Sequence, residues 1–259
     1  VTTAARTQGR LDSHWYGRDG SPRYEIIGKT TGRPRPVTIR DARENDWLPS
    51  TTTILKVLHK PALVDWLCEQ SALAVLTTPR NPGEELDAFV NRVLHEEKQQ
   101  DQEAQAARDL GTRIHAAIEL ALAGHGVAVD MEAFVKPALE AILKTGEVQQ
   151  TERIVVGDRY AGKLDALTQG NGLTTVWDTK TSKNLPKYGS FHEHRLQTAS
   201  YAKAVACIDS PIPNIQTANL YVSTTNPGEV KVDIQTDWLD TYERGFKPLV
   251  DYFYWLNGL

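Results

Sequence analysis

The sequence predicts a mixed α/β fold, a sheet with helices on its faces, preceded by a β-hairpin and a helical region. Three observations predict it. Residues 151–179 hold three short β-rich runs separated by the turn signals Gly157-Asp158 and Gly170-Asn171-Gly172. An Ala-rich helical stretch, about His194–Ile208, divides these from two further β-rich runs, Ile215–Ser223 and Glu229–Gln235. Before Gly146 the periodicity is mostly helical. At 259 residues, 40% apolar and 24% charged, the chain has a globular composition, which excludes disordered, collagen-like and coiled-coil classes.

Taken in order, Tyr24–Ile27 and Val37–Arg40 flank a Gly-, Thr- and Arg-rich tip at 28–36 and predict the hairpin. Ser50 or a following Thr is a natural N-cap for a helix through Ile54, Leu55 and Leu58. Lys60-Pro61 breaks that helix and starts another, Ala62 to about Leu76. The turn Thr78–Gly83 leads into acidic, Ala-rich helices over about Glu84–Gln99 and Gln102–Ala123, then a shorter helix from Met131 to Lys144. Thr151–Val156, Tyr160–Leu167 and Thr174–Thr179 are the first three strands. Pro211 and Pro213 end the next helix, and Trp238–Trp255 closes the chain as an amphipathic helix. The expected organisation is one domain: a basic hairpin segment at 1–47, a helical region at 48–148 and an α/β core at 149–259.

Cys68 and Cys207 are the two cysteines, too few for a disulfide scaffold or a four-thiolate zinc or iron–sulfur site, and read as small buried hydrophobes. No apolar run approaches the ~18 residues of a membrane span, and Val1–Arg10 lacks a signal-peptide core. The expectation is a soluble protein of a reducing compartment, cytoplasmic, with no membrane partner. With 29 basic and 33 acidic residues the net charge is −4, which argues against a sequence-blind DNA coat. The charges are nonetheless sorted: nine Arg or Lys against four acids in residues 1–43, and eight acids against three bases in 84–109. Residues 180–203 hold Lys180, Lys183, Lys187, Arg195 and Lys203 against Glu193. Such blocks are solvated faces or phosphate-tracking surfaces. Trp66, Trp238, Tyr252, Phe253 and Trp255 sit at helical spacing and read as core, whereas Trp15 and Tyr16, in a basic segment without periodicity, are candidates for stacking on bases.

Four stretches hold chemistry-bearing residues. On the helix through Gly111–Glu119, Leu110, Ile114, Ala117, Ile118, Ala121 and Leu122 form the apolar stripe, with His115 and Glu119 four apart at its edge. His115 is there a structural residue or a metal ligand. In Tyr160–Asp165 the carboxylate of Asp165 falls within a strand, where it caps a turn or needs a charge partner or a metal. Asp178 and Lys180 are two apart, hence on one face of the third strand, and form an edge ion pair or a site. A Gly-rich turn joins that strand to the one bearing Asp165, so both carboxylates can reach one spot, sharing a proton or holding a hard divalent cation. Gln197 and Tyr201 share a face of the following helix, as ordinary packing or as part of that site. Ser50 and Thr51 either contact a phosphate or serve as caps.

In this order and spacing, Gly111-Thr112-Arg113-Ile114-His115, Gly162-Lys163-Leu164-Asp165, Asp178-Thr179-Lys180 and Gln197-Thr198-Ala199-Ser200-Tyr201 resemble the RecB-like branch of the PD-(D/E)XK nucleases, over about Leu110–Val205. Trp47–Leu55 and Lys60–Trp66, with His14–Gly20 and Thr38–Arg43, further resemble phage exonucleases related to the mitochondrial genome maintenance exonuclease. The resemblance implies a restriction-endonuclease-like fold and a metal-dependent deoxyribonuclease, an exonuclease acting on ends of single-stranded or frayed DNA in phage-type recombination, replication or repair. A phage-encoded member would work in the cytoplasm of a bacterial host. It implies His115, Asp165, Asp178 and the backbone carbonyl of Thr179 as metal ligands, Lys180 as the catalytic lysine, and Gln197 and Tyr201 as supports of the site. Glu152 matches an acidic position that binds a second metal through water, and Glu119 orients a ligand or is a helix-surface charge. The iron–sulfur members' cysteines are absent.

Two carboxylates and a carbonyl suit one or two Mg²⁺ ions, and the imidazole of His115 shifts preference towards Mn²⁺. Such ions would supply a hydroxide and polarise the phosphoryl oxygen, while Lys183, Lys187, Arg195 and the basic N-terminal segment follow the DNA backbone. Residues 48–145 are expected to wall the site so that only an end enters. Partners would be DNA with free ends and a recombinase, helicase or single-strand-binding protein. The alternatives are a catalytically silent DNA-binding protein on the same fold and a sequence-specific endonuclease. An amidohydrolase reading of His192-Glu193-His194 fails because none of the seven histidines follows His194.

Overall fold

The structure, a computed structural model, describes residues 14–58, 61–100, 102–208 and 214–259. The N-terminal ten residues, Lys60 and the Pro211 and Pro213 stop lie outside the described residues. The chain forms two compact units: residues up to Val57 together with Ile114–Leu259, and Leu58–Arg113.

In the first unit, β1 (Trp15–Tyr16) pairs antiparallel with β2 (Pro22–Arg23) on one side and, further along, with β5 (Leu48–Pro49) on the other. Between them β3 (Glu25–Ile27) and β4 (Pro34–Pro36) make the hairpin, and Val37 N–H bonds Tyr24 O at 3.1 Å. The second hairpin strand expected at Val37–Arg40 is therefore shifted back. Thr38 instead caps α1 (Ile39–Asn45): its hydroxyl accepts from Asp41 N–H while the Asp41 carboxylate accepts from Thr38 N–H. Ser50 caps α2 (Thr51–Leu55) by accepting from Thr53 N–H at 3.0 Å, as expected.

The second unit holds α3 (Pro61–Thr77), α4 (Leu86–Gln100) and the first part of α5 (Gln102–Leu122). Helix α4 buries Phe89 and Val93, and Arg92 is paired with Glu84. Trp66, expected in the core, is 49% exposed, and Cys68 and Cys207 are exposed rather than buried. Apolar residues are not gathered on one face of α3, which also carries Asp65, Glu69 and Gln70, so its periodicity marks no inner face.

From Ile114 the chain returns to the first unit. A 3₁₀ turn (Val129–Met131) and α6 (Glu132–Leu143) lead into β6 (Glu147–Thr151), β7 (Ile154–Val156), β8 (Ala161–Lys163), β9 (Ala166–Gly170) and β10 (Leu173–Ser182). Helix α7 (His192–Ile208) connects β10 to its parallel neighbour β11 (Ile215–Ser223), and β12 (Val230–Gln235) pairs antiparallel with β11. The main sheet runs β12-β11-β10-β9-β6 and is mixed, with α6 and α7 packed on it. Central β10 and β11 are almost wholly buried, which is why they read as continuous β-rich runs rather than as alternation. The closing helix is built from α8 (Trp238–Thr241), a π-helical turn (Tyr242–Phe246) and α9 (Lys247–Asn257). Phe253 is buried on it, but Tyr252 and Trp255 are 48% and 77% exposed and Trp238 is half-buried, against the expectation of core. Among the described residues no helix is long and apolar enough to cross a membrane.

Two predicted strands are each broken in two. The run at 151–156 splits at Glu152, whose φ of 51° is left-handed, and β6 begins earlier, at Glu147. The run at 160–167 splits at Leu164-Asp165, so Asp165 stands between β8 and β9 instead of inside a strand. β7 and β8 thereby leave the main sheet, pair with each other, and pack Ile154, Val156 and Ala161 against Tyr16 and Leu48. This places the N-terminal strands beside the Asp165 break.

Candidate active site

Strand β10 carries Asp178 and Lys180 on one face, two residues apart. Their neighbours come from the topology. Antiparallel β9 ends opposite Trp177, whose carbonyl accepts from Asp165 N–H at 3.2 Å; the Asp165 carboxylate then reaches along the vacated edge and accepts from Thr179 N–H at 2.5 Å. The parallel partner β11 sets Asn219 beside Asp178 and Tyr221 beside Lys180. Helix α7 lays Gln197 over them: its Nε2 donates to Asp178 Oδ1 and to Tyr201 Oη, both at 2.9 Å. Lys180 Nζ lies 2.7 Å from Asp178 Oδ2. His115, from the part of α5 within this unit, has Nδ1 3.9 Å from Asp165 Oδ2, in charge range but beyond a hydrogen bond.

His115, Asp165, Asp178, Lys180, Gln197 and Tyr201 line one cavity of about 320 Å³, together with His14, Tyr16, Tyr24, Ser50, Thr51, Thr52, Gly162, Lys163 and Thr179. Gly162 is there for close approach: a Cβ at this position would overlap the buried Tyr201 ring. Thr51 holds α2 to α7 through its hydroxyl, 3.0 Å from that of Ser200.

The electrostatics follow from burying more charge than the site neutralises. Burial, then the neighbouring Asp178 charge, pushes the Asp165 carboxyl up to about 7 against the opposing Thr179 N–H. Burial alone would lower Lys180, but the charge and hydrogen bond of Asp178 outweigh it and hold the ammonium above its ordinary value. Burial lowers His115, leaving a neutral imidazole with a free lone pair near pH 7. Burial, with the Asp178 charge, keeps Tyr201 a phenol. Among the described residues no three His, Cys, Asp or Glu side chains stand close enough together to enclose a metal ion. Within the site, Asp178 is instead held by Lys180 and Gln197, with Asn219 Nδ2 at 3.5 Å.

The structure thus brings together His115, Asp165, Asp178, Thr179, Lys180, Gln197 and Tyr201. Several other candidates lie elsewhere. Glu152 is ion-paired with Lys163 and does not line the cavity. Glu119 is exposed on α5, a helix-surface charge. Lys183 and Lys187 are exposed outside the cavity, and Arg195 is paired with Asp237 at 2.7 Å. Trp15 is wholly buried and offers no stacking face, while Tyr16 is buried except where it borders the cavity. Ser50 acts as a cap and Thr51 as a buried brace, yet both form part of the cavity wall. The sequence reading missed Asn219, His14, Tyr24 and Thr52. Asn219 had a signal: an amide in the middle of an apolar strand needs a buried partner.

No protein-family model matches the sequence, and no curated protein does. Among solved structures the chain is similar to SSO0001, with 21% identity and a TM-score of 0.31 over 46% of this chain and 55% of that one. It is also similar to a protein named "Putative exonuclease" from Eubacterium rectale, with 12% identity and a TM-score of 0.36 over 56% of this chain and 65% of that one. The chain therefore spans under two thirds of the length of either protein, and likeness of this degree carries no assignment.

Proposed function

We propose that this protein is a metal-dependent deoxyribonuclease of the RecB-like PD-(D/E)XK type, hydrolysing phosphodiester bonds at the ends of single-stranded or frayed DNA. The observation that carries the reading is the convergence of Asp165, Asp178, Lys180, Gln197 and His115 on one cavity. The buried Asp178 and the half-buried Asp165, whose carboxyl is raised by burial and by the Asp178 charge, stand beside a neutral imidazole and are a donor set suited to a hard divalent cation. Asp165, Asp178, the carbonyl of Thr179 and His115 would hold Mg²⁺ or Mn²⁺. Bound there, the metal would supply an activated water and polarise the phosphoryl oxygen.

The chain's own residues supply the rest. Lys180 places a fixed positive charge where negative charge grows on the phosphate. Gln197 and Asn219 fix the rotamer of Asp178, and the phenol of Tyr201, one of the two Gln197 Nε2 partners, fixes Gln197 in turn. The Thr179 N–H orients Asp165. Burial keeps these dipoles from relaxing towards water.

The test is hydrolysis of end-labelled linear and circular single- and double-stranded DNA with Mg²⁺, Mn²⁺ or chelator. Wild type is expected to give metal-dependent products from linear strands, and Lys180→Ala to lose about 10²–10³-fold in rate. Equal cutting of circles would replace the exonuclease with an endonuclease. No product from any substrate with DNA binding intact would replace it with a DNA-binding protein on the same scaffold.

A further inference from the structure

Besides the charged groups, aromatic rings of the N-terminal segment line the cavity. His14 and Tyr24 line it, with ring centroids 4.7 Å apart and planes tilted by 39°. The Tyr24 hydroxyl lies 3.1 Å from that of Tyr16, and the Tyr16 ring meets Tyr24 edge-on at 6.0 Å. Tyr16 is itself buried against Leu48 and Ala161. The backbone of His14 is anchored too, its N–H donating to Thr53 Oγ1 at 3.1 Å. Tyr24 is thus a ring of fixed orientation, yet 42% exposed.

One isolated exposed tyrosine would mean nothing. This one is held by two aromatic neighbours and shares a cavity of about 320 Å³ with Lys163, Lys180, Asp165 and Asp178. Charged groups and aromatic rings lining one cavity match the two halves of a nucleotide, phosphate and base. Pre-organised aromatic rings bind unpaired bases of any sequence, because every base offers a π-face. Base pairs in a duplex are already stacked and cannot reach such rings without unstacking.

We propose that the His14–Tyr24 pair is a stacking site for an unpaired nucleobase adjoining the phosphate that the carboxylates and Lys180 address. This rests on the nuclease reading and deepens it, making an unpaired nucleotide rather than a duplex the unit the cavity accepts. The site is sequence-tolerant, and Tyr24 acts by its ring rather than by its hydroxyl.

The experiment pairs side-chain with base deletion, using the full chain. Single-stranded oligonucleotides carry 2-aminopurine, or an abasic tetrahydrofuran residue, in turn at each of the terminal three positions. Binding is read by 2-aminopurine quenching in the Lys180→Ala background, and hydrolysis with Mn²⁺ in the wild-type background. Tyr24→Ala is expected to abolish the quenching at one position and weaken binding about ten-fold there. It should leave the strand abasic at that position unaffected, while Tyr24→Phe behaves as wild type. Equal losses on base-bearing and abasic strands, or no loss on either, would overturn the stacking site. Should Tyr24→Ala fail to fold, His14→Ala is expected to give the same base-dependent loss at smaller size, and a base-independent result there overturns the proposal. Absence of hydrolysis by wild type on every strand would count against the nuclease reading alone, since the quenching arm still reads the aromatic rings.

Discussion

Arg18 with Asp46 and Arg35 with Asp41 match one cation to one carboxylate near the surface of the N-terminal segment, whereas at the end of β10 two carboxylates, the buried Asp178 and the half-buried Asp165, stand beside a single close ammonium, paired with Asp178. In the sequence the contrast looks reversed: residues 1–43 form a basic block, while Leu173–Ser182 holds one acid and one base, Asp178 and Lys180. Folding consumes much of the first block's charge in local pairs and a capping box. It concentrates unrelieved charge on the second, where little water remains to screen it. Charge density along a chain therefore says less about function than where the chain leaves charges unbalanced.

That contrast can be broken most sharply through Gly162→Ala, which changes no charge. Its methyl group would push the Tyr201 ring and with it Gln197, so Asp178 loses its orientation. Activity on labelled DNA is expected to fall by at least about 10²-fold, with a loss of about 1–3 kcal/mol in denaturant unfolding. Unchanged activity would show that Asp178 needs no fixing from α7.

A smaller effect tests the charge imbalance itself. The Asp165 carboxyl is raised from its ordinary 3.8 to about 7, so between these values the folded protein binds more protons than the unfolded one. Without metal, the contribution of this group to stability should be fully present below about pH 4 and be lost as pH rises through about 7. Asp165→Asn should flatten that slope and stabilise the metal-free protein at pH 8 by about 1 kcal/mol, while abolishing activity. A variant less stable than wild type at pH 8 would mean that Asp165 is already neutralised in the fold.

The surface side of the comparison should respond with the opposite sign and least strongly. Hydrogen bonds from Arg35, then from Thr38, hold the Asp41 carboxyl well below the usual carboxylate range. Its contribution is present above the ordinary value and lost as pH falls through the lowered one. Asp41→Asn is expected to cost about 0.5–1 kcal/mol at pH 7, and the difference from wild type should vanish in strong acid. A cost that persisted there would assign Asp41 a packing role.

How far the sequence carried these conclusions depended on the kind of information each needed. Buried strands and long helices follow hydrophobic periodicity, so Ile215–Ser223 and Gln102–Leu122 emerge almost to the residue. The convergence of Asp165, Asp178 and Lys180 follows from strand spacing across a tight turn. Breaks do not. Glu152 takes a left-handed conformation without being Gly, and Asp165 leaves the strand because its carboxylate replaces a ladder partner for Thr179 N–H. The end of the hairpin was misread because β-branched Val37 and Thr38 weigh towards strand, while the Thr38–Asp41 reciprocal cap, a local hydrogen-bond pattern, decides for helix. Which aromatics are exposed depended on long-range packing: Trp15 disappears against Phe253, and Tyr24, which carries no periodic signal, faces the cavity.

The start of β9 only at Ala166, opposite Trp177, has a further consequence. Beyond Trp177, β10 is paired among the described strands only with β11, so the backbone groups on its other flank need partners from outside the ladder. The Asp165 carboxylate occupies the first backbone donor on that flank and sets a negative charge at its entrance. The residue proposed to bind metal thus also completes the hydrogen bonding of a buried strand edge, and a side chain there that cannot accept would leave the Thr179 N–H, on a residue 2% exposed, without its partner.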